Sequence, residues 1–427
     1  MRFFRLADWL SWQETLHPKA IDLGLDRLRR TLQRLQWRAP TCPVITVGGT
    51  NGKGSCVAML DRILSSAGYR VGTFTSPHVL RYNERIRIDG VEVSDASLVA
   101  AFERIDVARN DETLTFFEFN ALAALLVFET AGLDAVVLEV GLGGRLDAVN
   151  AVDADVALLT TIALDHCEWL GSDLESIGRE KAGIFRPGRV AVFGSRVMPA
   201  SIETQASALG TKLLRLGADF DFERHGRQWS WRGEGGVHIE DLPPPALFGE
   251  AQYDNAAAVL QTLSCLRERL PIAREAVTQG LSSVRLSARF QVISGPVTWI
   301  LDVAHNPAAA KTLAGQLRLS RTAGKTIALC GILGDKDIAG IATELRSSFD
   351  EWIVAGLAGA RAVEPQVLAA RLRDVGANVV GVAPTIETAC ELAQGRAQRG
   401  DRIVAFGSFL TVGPVLEWTQ RQARLMP

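Results

Sequence analysis

The sequence predicts an α/β protein: a P-loop-containing central domain followed by a smaller C-terminal Rossmann-like α/β domain. Three observations carry this. The apolar run Val44 to Val47 leads into Gly48-Gly49-Thr50-Asn51-Gly52-Lys53-Gly54-Ser55, and Val57, Leu60, Ile63 and Leu64 come next at helical spacing, which reads as strand, phosphate loop and helix. Two later apolar runs, Asp134 to Gly141 and Val156 to Ile162, carry polar groups at their carboxyl ends, where doubly wound sheets collect ligands. From residue 298 onward the α/β rhythm restarts in a shorter stretch. A chain of 427 residues is too long for one core. The expected division is an ATP-binding domain over 1–285, a linker over 286–297 and a second domain over 298–427.

Taken in order, residues 1 to 40 read as helical, with Leu23, Leu25, Leu28, Leu32 and Leu35 as a stripe that Pro40-Thr41-Cys42-Pro43 stops. His17 has the local setting of a cap or turn residue. The turn after the first strand places small residues where backbone N–H groups close around an anion at a helix N-terminus. Lys53 then reaches the outer phosphates, Ser55 offers a hydroxyl to Mg²⁺, and the site wants a nucleoside triphosphate. The strict pattern has Gly at position 47 and Ser or Thr directly after the Lys, so Val47 and the interposed Gly54 make this a variant.

Tyr69 to Thr75 reads as the second strand. Val79 to Gly90 comes next, a stretch of alternating charge with the pattern of a solvated hairpin. Leu114-Thr115-Phe116-Phe117-Glu118-Phe119 opens a helix that continues through Leu122, Leu125, Leu126 and Phe128. Glu139 stands after four apolar residues, where a charge is costly unless it meets a cation, so it reads as a metal ligand beside the P-loop. His166, beyond the next strand, reads as the ligand of a second metal. Residues 196 to 245 show a hairpin-like stretch around Trp229 and Trp231 and no chemistry. Strands are expected at Thr298 to Val303, Thr326 to Cys330, Glu351 to Ala355, Asn378 to Val382 and Arg402 to Phe406.

Composition narrows the partners. Hydrophobic residues at 47% suffice for packed cores, and a formal net charge of −2 spread along the chain gives no electrostatic case for nucleic acid or an anionic membrane. The six cysteines lack C-x-x-C spacing and read as reduced thiols. The first residues lack the apolar core of a signal peptide, and no window of about 18 uninterrupted apolar residues occurs. The expectation is a cytoplasmic monomer acting on small molecules.

Gly49-Thr50-Asn51-Gly52-Lys53-Gly54-Ser55 resembles the ATP loop of the Mur ligase superfamily, and its Lys-Gly-Ser ending is similar to the folylpolyglutamate synthase branch. Further segments carry the resemblance along nearly the whole chain: Leu16-His17-Pro18 with Ile21 to Leu25, Leu114 to Phe119, Gly143 to Asn150, Asp165-His166, Glu180-Lys181-Ala182-Gly183-Ile184, Phe248 to Ala258, Asp302 to Pro307, Gly331 to Asp337 and Phe406-Gly407-Ser408. The resemblance implies a Mur-ligase-like central domain and a set of roles. Thr115 and Phe117 would border the pterin pocket and Asp147 would hydrogen-bond the pterin. The Arg residues of 79–90 would lie in a mobile loop and screen an acyl phosphate. Asn255 would read the adenine edge. Arg289 would contact a phosphate, although Ser287-Ala288-Arg289 stands where the family carries Pro-Gly-Arg. Asp302 and His305 would bridge ATP and the incoming amino acid, with Ser408 on the glutamate side. Lys181 would be carbamylated and complete the second metal site with Glu139 and His166, the alternative being a plain phosphate-binding cation.

The activity implied is that of an ATP-dependent ligase joining L-glutamate to dihydropteroate, to folate polyglutamates or to both. ATP is co-substrate, Mg²⁺ is expected at two sites, and the resemblance leaves room for a monovalent cation. The γ-phosphoryl group would pass to the acceptor carboxylate, and the amine would attack the resulting acyl phosphate, with Lys53 and Arg289 neutralising phosphate charge. A peptidoglycan Mur ligase is the rival with the same chemistry. Those enzymes usually carry an extra N-terminal domain, and the roughly 43 residues before the first strand are too few for one. A P-loop switch is the rival of another class, and it leaves Asp302 and His305 without a purpose.

Overall fold

The computed structural model describes residues 2–320, 322–359 and 361–425, so the expected domain ends at 1 and 427 lie outside the described residues. The chain divides into two compact units, one of Met1–Ala163, Cys167–Ala246 and Gln252–Val284, the other of Leu164–His166, Leu247–Ala251 and Arg285–Pro427. Two short segments inside the range expected for the first domain therefore group with the second.

The first unit begins with helices α1 (Leu6–Leu16) and α2 (Asp26–Arg34), then β1 (Val44–Gly48), α3 (Lys53–Ser66) and β2 (Val71–Phe74). After these come β3 (Ile86–Ile88), β4 (Val91–Glu92), α4 (Asp95–Arg109), α5 (Phe116–Glu129), β5 (Ala135–Glu139) and β6 (Val156–Leu159). The unit continues with α6 (Cys167–Leu170), α7 (Leu174–Ala182), β7 (Val190–Phe193), α8 (Ala200–Leu209) and β8 (Lys212–Arg215). It ends with β9 (Asp221–His225), β10 (Gln228–Arg232), β11 (His238–Leu242), α9 (Ala251–Ser264) and α10 (Arg274–Ser283). The main sheet has the order β4-β3-β2-β5-β1-β6-β7-β8, parallel except for the antiparallel edge strands β3 and β4. β1 and β5 are buried at every position, as strands covered by helices on both faces must be. Since β1 lies between β5 and β6, the order reverses around it, and the carboxyl ends of these three strands form the crevice where such folds bind ligands.

Three local readings are corrected. The first 40 residues are not one helical stretch: α1 and α2 are separate, and Leu23 lies between them, because Pro18 and Gly24 interrupt the pattern. The segment 79–90 is not a solvated hairpin. Tyr82–Arg85 forms a 3₁₀ turn with Tyr82, Asn83 and Arg85 buried, and β3 pairs with both β2 and β4. Around the tryptophans the hairpin is a three-stranded antiparallel sheet, β11-β10-β9, and Trp229 and Trp231 are buried on it.

The second unit contains β12 (Gln291–Ile293), β13 (Thr298–Leu301), α11 (Pro307–Leu319), β14 (Thr326–Cys330), α12 (Ile338–Leu345), β15 (Glu351–Ala355), α13 (Pro365–Asp374), β16 (Val379–Ala383), α14 (Ile386–Arg396), β17 (Arg402–Phe406) and α15 (Phe409–Leu425). Its sheet runs β12-β13-β17-β14-β15-β16, with only β12 antiparallel. The span 286–297 is thus more than a linker: Gln291, Val292 and Ile293 pair with Leu301, Ile300 and Trp299 as an edge strand, a setting that suits β-branched residues. Among the described residues, no helix is long and apolar enough to cross a membrane.

Candidate active site

In the first unit the crevice is built on the P-loop. Gly49 has φ +129° and Gly52, which precedes the first helical residue Lys53, has φ +93°, conformations that L side chains rarely adopt. At Gly49 a Cβ would lie 2.0 Å from the Thr160 hydroxyl, so a side chain is excluded there on two counts. The end of β6 braces the loop: the Thr50 N–H donates to the Thr161 carbonyl at 2.7 Å, and the Thr160 hydroxyl donates to the Asn51 carbonyl at 2.7 Å. Ser55 is buried in the first turn of α3. Lys53 Nζ donates to the carbonyls of Gly49 at 3.1 Å and Thr50 at 3.2 Å. Lys181 Nζ donates to the same Gly49 oxygen at 3.0 Å. Two lysines 128 positions apart in sequence thus converge on one carbonyl oxygen, where an anion relieves their mutual repulsion.

Lys181 sits in the last turn of α7, which runs through to Ala182, and is 5% exposed. The loop after β5 holds it there. Arg145 N–H donates to the Glu180 carbonyl at 2.9 Å, and a Cβ on Gly144 would come within 2.7 Å of the Lys181 carbonyl. In the same loop Asp147 accepts from Leu142 N–H at 2.8 Å and Val149 N–H at 3.0 Å. Burial pushes its carboxyl up to about 6, against these N–H groups and the charge of Lys53, which favour the anion. Glu139, 4% exposed at the end of β5, accepts from Ser76 N–H at 3.2 Å.

The wall beyond is aromatic. Thr115 caps α5 in a capping box with Glu118, so its hydroxyl is engaged in holding the helix start. Phe117 lies against Gly141, where a Cβ would meet its ring at 2.5 Å, and packs on Phe74 with ring centroids 5.8 Å apart. A chain of contacts that sequence reading missed supports this wall. Arg27 Nε reaches both oxygens of the buried Glu118, at 3.2 and 3.4 Å, and Arg27 also pairs with Asp22, tying 22–27 to the first turn of α5. Asn255 faces the P-loop, its Oδ1 being 2.8 Å from where a Gly52 Cβ would stand, while its Nδ2 donates to Gln252.

The second unit gathers its polar groups at the carboxyl ends of β13 and β14. Asp302 accepts from Phe290 N–H and Ala304 N–H, both at 2.8 Å; burial raises its carboxyl, against the nearby charge of Arg289. The Arg289 guanidinium stands 5.7 Å over the Phe409 ring. Ala288 and Phe290, on either side of it, have φ +61° and +45°. Ala288 thus holds a left-handed backbone of the kind that Gly adopts most readily. His305 Nδ1 meets the Val303 carbonyl at 2.7 Å. Ser408 is buried, and its hydroxyl accepts from Leu410 N–H.

His166 belongs to the segment 164–166 of this second unit, whereas Glu139, Ser55 and Lys181 belong to the first. Sequence reasoning places Asp165 and Lys336 in family segments without giving either a role, and Lys336 Nζ donates to Asp165 at 2.7 Å. No local pattern marks this pair, because the two residues are 171 positions apart. Among the described residues no three His, Cys, Asp or Glu side chains gather to hold a metal ion. A divalent ion in the first unit would therefore draw on the Ser55 hydroxyl and Glu139 together with oxygens of its ligand. Both are hard donors and buried, which fits Mg²⁺.

Known proteins match along nearly the full length. Residues 47–196 match the Mur ligase middle domain, and residues 288–409 match the Mur ligase, glutamate ligase domain. The dihydrofolate synthase/folylpolyglutamate synthase of Escherichia coli is 43% identical over 96% of this chain and 95% of its own. Escherichia coli FolC solved in complex with DHPP and ADP superposes with a TM-score of 0.93 at 42% identity, covering 98% of this chain and 99% of that one. A bifunctional folylpolyglutamate synthase/dihydrofolate synthase solved with Mn, AMPPNP and L-glutamate bound has a TM-score of 0.89 at 44% identity, covering 98% of each chain. Similarity of this depth over both units identifies the chain as a member of the dihydrofolate synthase/folylpolyglutamate synthase family of Mur ligases.

Proposed function

We propose that this ATP-dependent ligase joins the amine of L-glutamate to the carboxylate of dihydropteroate and of folate, both activities residing in one chain. The observation that carries the reading is the P-loop at the sheet's switch point, with Lys53 Nζ on the Gly49 carbonyl as its cation and Lys181, Glu139 and Ser55 buried beside the same loop. That arrangement suits the β- and γ-phosphates of ATP and a divalent ion, and relatives solved with ADP, or with AMPPNP and Mn, support it. Mg²⁺, held by Ser55 and Glu139, would supply positive charge beside the phosphates.

The chain's own residues do the rest. P-loop N–H groups from Gly49 to Ser55 cradle the phosphates, Lys53 holds the outer ones, and Asn255 serves the adenine through its amide. Thr115, Phe117 and Asp147 serve the pterin, the ring by stacking and the carboxyl by hydrogen bonding. The acceptor carboxylate takes the γ-phosphoryl group and leaves ADP; the glutamate amine then attacks the carbonyl carbon and phosphate departs. In the second unit Arg289 and Asp302 serve phosphate and ATP, and His305 and Ser408 serve the glutamate. Catalysis of this kind is positioning and charge stabilisation. The side-chain carbamate of Lys181 belongs to this reading as a ligand that a second metal would use. It keeps one N–H for Gly49 and removes the like charge beside Lys53. The domain division at 285 and 298 belongs to it also, as does a cytoplasmic location, supported by six cysteines none of which forms a disulfide.

ADP formation decides it. Turnover should require L-glutamate and either dihydropteroate or tetrahydrofolate. Turnover that ignores both acceptors and responds to a UDP-MurNAc acceptor would overturn the folate reading.

A further inference from the structure

We propose that Asp165 is a positioning residue for the amino-acid half of the reaction, fixing the His305 ring and the Lys336 ammonium at the carboxyl ends of β13 and β14. The proposal rests on the reading of His305 as a glutamate-side group. Asp165 belongs to the second unit together with His166, His305, Asn306 and Lys336.

The geometry is that of a carboxylate with all its acceptor capacity used. On Oδ1 it takes Lys336 Nζ at 2.7 Å and its neighbour's main-chain N–H, from His166, at 2.9 Å. On Oδ2 it takes Asn306 Nδ2 at 3.0 Å and faces His305 Nε2 at 3.3 Å. An ionised carboxylate has about four lone-pair sites, and four donors occupy them. Asp165 therefore has no acceptor left for a metal ion or a substrate amine, which separates it from catalytic carboxylates. What it can do is hold other groups.

The groups come from two loops, His305 and Asn306 from the one after β13 and Lys336 from the one after β14. His305 lies in the loop after β13, and its Nδ1 is on the Val303 carbonyl, so the ring is gripped at both nitrogens and cannot rotate without losing one contact. A carbonyl stands at one ring nitrogen and a carboxylate at the other. Asn306 is the cap of α11: its Oδ1 accepts from Ala309 N–H while its Nδ2 donates to Asp165. Lys336 comes from the loop after β14. Its side chain and that of Asp165 are each 7% exposed, so the pair is nearly dry. The backbone agrees, since His166 sits at φ +51°, a conformation that a non-Gly residue keeps only when its surroundings impose it.

A salt bridge that served stability alone would change the folded fraction and leave the kinetics of the folded enzyme untouched. Positioning makes a different prediction for Asp165→Asn, which keeps the shape but has one acceptor oxygen and no charge. Once glutamate-dependent ADP release by the wild type is established, so that the result bears on Asp165 alone, kcat and KM are measured for L-glutamate and for ATP. The expected result is a loss of about 50-fold in kcat/KM for glutamate, in line with a displacement of just under 1 Å at a reacting group. KM for ATP should stay within about twofold. Asp165→Glu, which retains the charge on a longer arm, should recover part of the loss. Glutamate kinetics within twofold of wild type in folded Asp165→Asn would overturn the proposal. A second measurement stands independently of any variant: ¹⁵N spectra of the wild-type His305 ring at neutral pH should show a proton on Nε2. Its absence would overturn the proposal too, because the ring would then have nothing to donate to Asp165.

Discussion

Gly144→Ala tests how tightly the position of Lys181 is set. A Cβ at residue 144 would stand 2.7 Å from the Lys181 carbonyl oxygen, 2.9 Å from that of Glu180 and 3.1 Å from the Lys181 Cα. These are backbone atoms in the last turn of α7, so no side chain can swing aside. Relief to an ordinary carbon–oxygen contact near 3.3 Å requires the loop or the helix end to move by roughly half an ångström, with overpacking costing about 1–3 kcal/mol. The same movement shifts Lys181 relative to Gly49. If a misplacement of about 1 Å costs on the order of 100-fold, half that distance costs about tenfold in kcat. The assay pairs thermal unfolding with ADP release under saturating ATP, glutamate and acceptor. Gly24→Ala is the control, because nothing lies within 4 Å of its added methyl and its backbone is unstrained; it should change neither quantity. A Gly144→Ala enzyme with wild-type kcat would show that Lys181 need not be held to this precision, and the packing argument would fall.

Four further outcomes are expected. Lys53→Ala should lower ADP formation at least 100-fold, as loss of a group facing transition-state charge does, with only a small fall in Tm from two lost bonds to loop carbonyls; a folded variant with wild-type turnover would refute the P-loop assignment. Asp61→Asn should stabilise the protein at pH 8: burial raises the Asp61 carboxyl from 3.8 to about 6, so its contribution to stability is fully present below 3.8 and is lost as the pH climbs through 6, a penalty of up to about 3 kcal/mol that Asn escapes. Denaturant midpoints at pH 4 and pH 8 check the sign, since the gain should be confined to the higher pH. Ala288→Gly should be neutral within about 1 kcal/mol, because relief of the left-handed backbone (~1–2) is offset by unfolded-chain entropy (~0.4–1) and a lost buried methyl (~0.8), whereas Ala288→Val, β-branched in the same conformation, should cost more than about 2 kcal/mol. Labelled bicarbonate should give a carbamate carbon signal that Lys181→Ala abolishes; if no such signal forms and Lys181→Arg stays active, Lys181 is a plain cation.

The sequence revealed most where function and fold use the same short stretch. β1 with its loop, β5 with Glu139, and β14 are each an apolar run that meets a turn at once, and parallel strands buried on both faces leave that signature in the chain. What escaped was of two kinds. Edges were misread, because β3, β4 and β12 are two or three residues long and half exposed, too short for a period of two to show. The braces were invisible too: Thr160 and Thr161 under the P-loop, Arg27 on Glu118, and Asp165 on Lys336 join residues 91 to 171 positions apart. Only the folded chain brings them together.

Ala288 shows how these two kinds of information bear on each other. Read alone, an alanine where glycine is usual argues for a changed backbone, since a methyl group makes φ +61° costly by about 1–2 kcal/mol. The fold nonetheless imposes that conformation. Val303 N–H donates to the Ala288 carbonyl at 3.1 Å, the Gln291 side chain accepts from Ala288 N–H at 3.0 Å, and the next residue but one is pinned by Asp302. The two hydrogen bonds on Ala288, at about 1 kcal/mol each, match the ~1–2 kcal/mol of its strain, and the Asp302 contact does the same for Phe290 at φ +45°. The geometry that presents Arg289 is therefore a property of β12, β13 and the loop between Val303 and Asn306, and only secondarily of the residue at 288. A substitution that breaks the Asp302 contact should disturb Arg289 more than one that changes Ala288 to glycine.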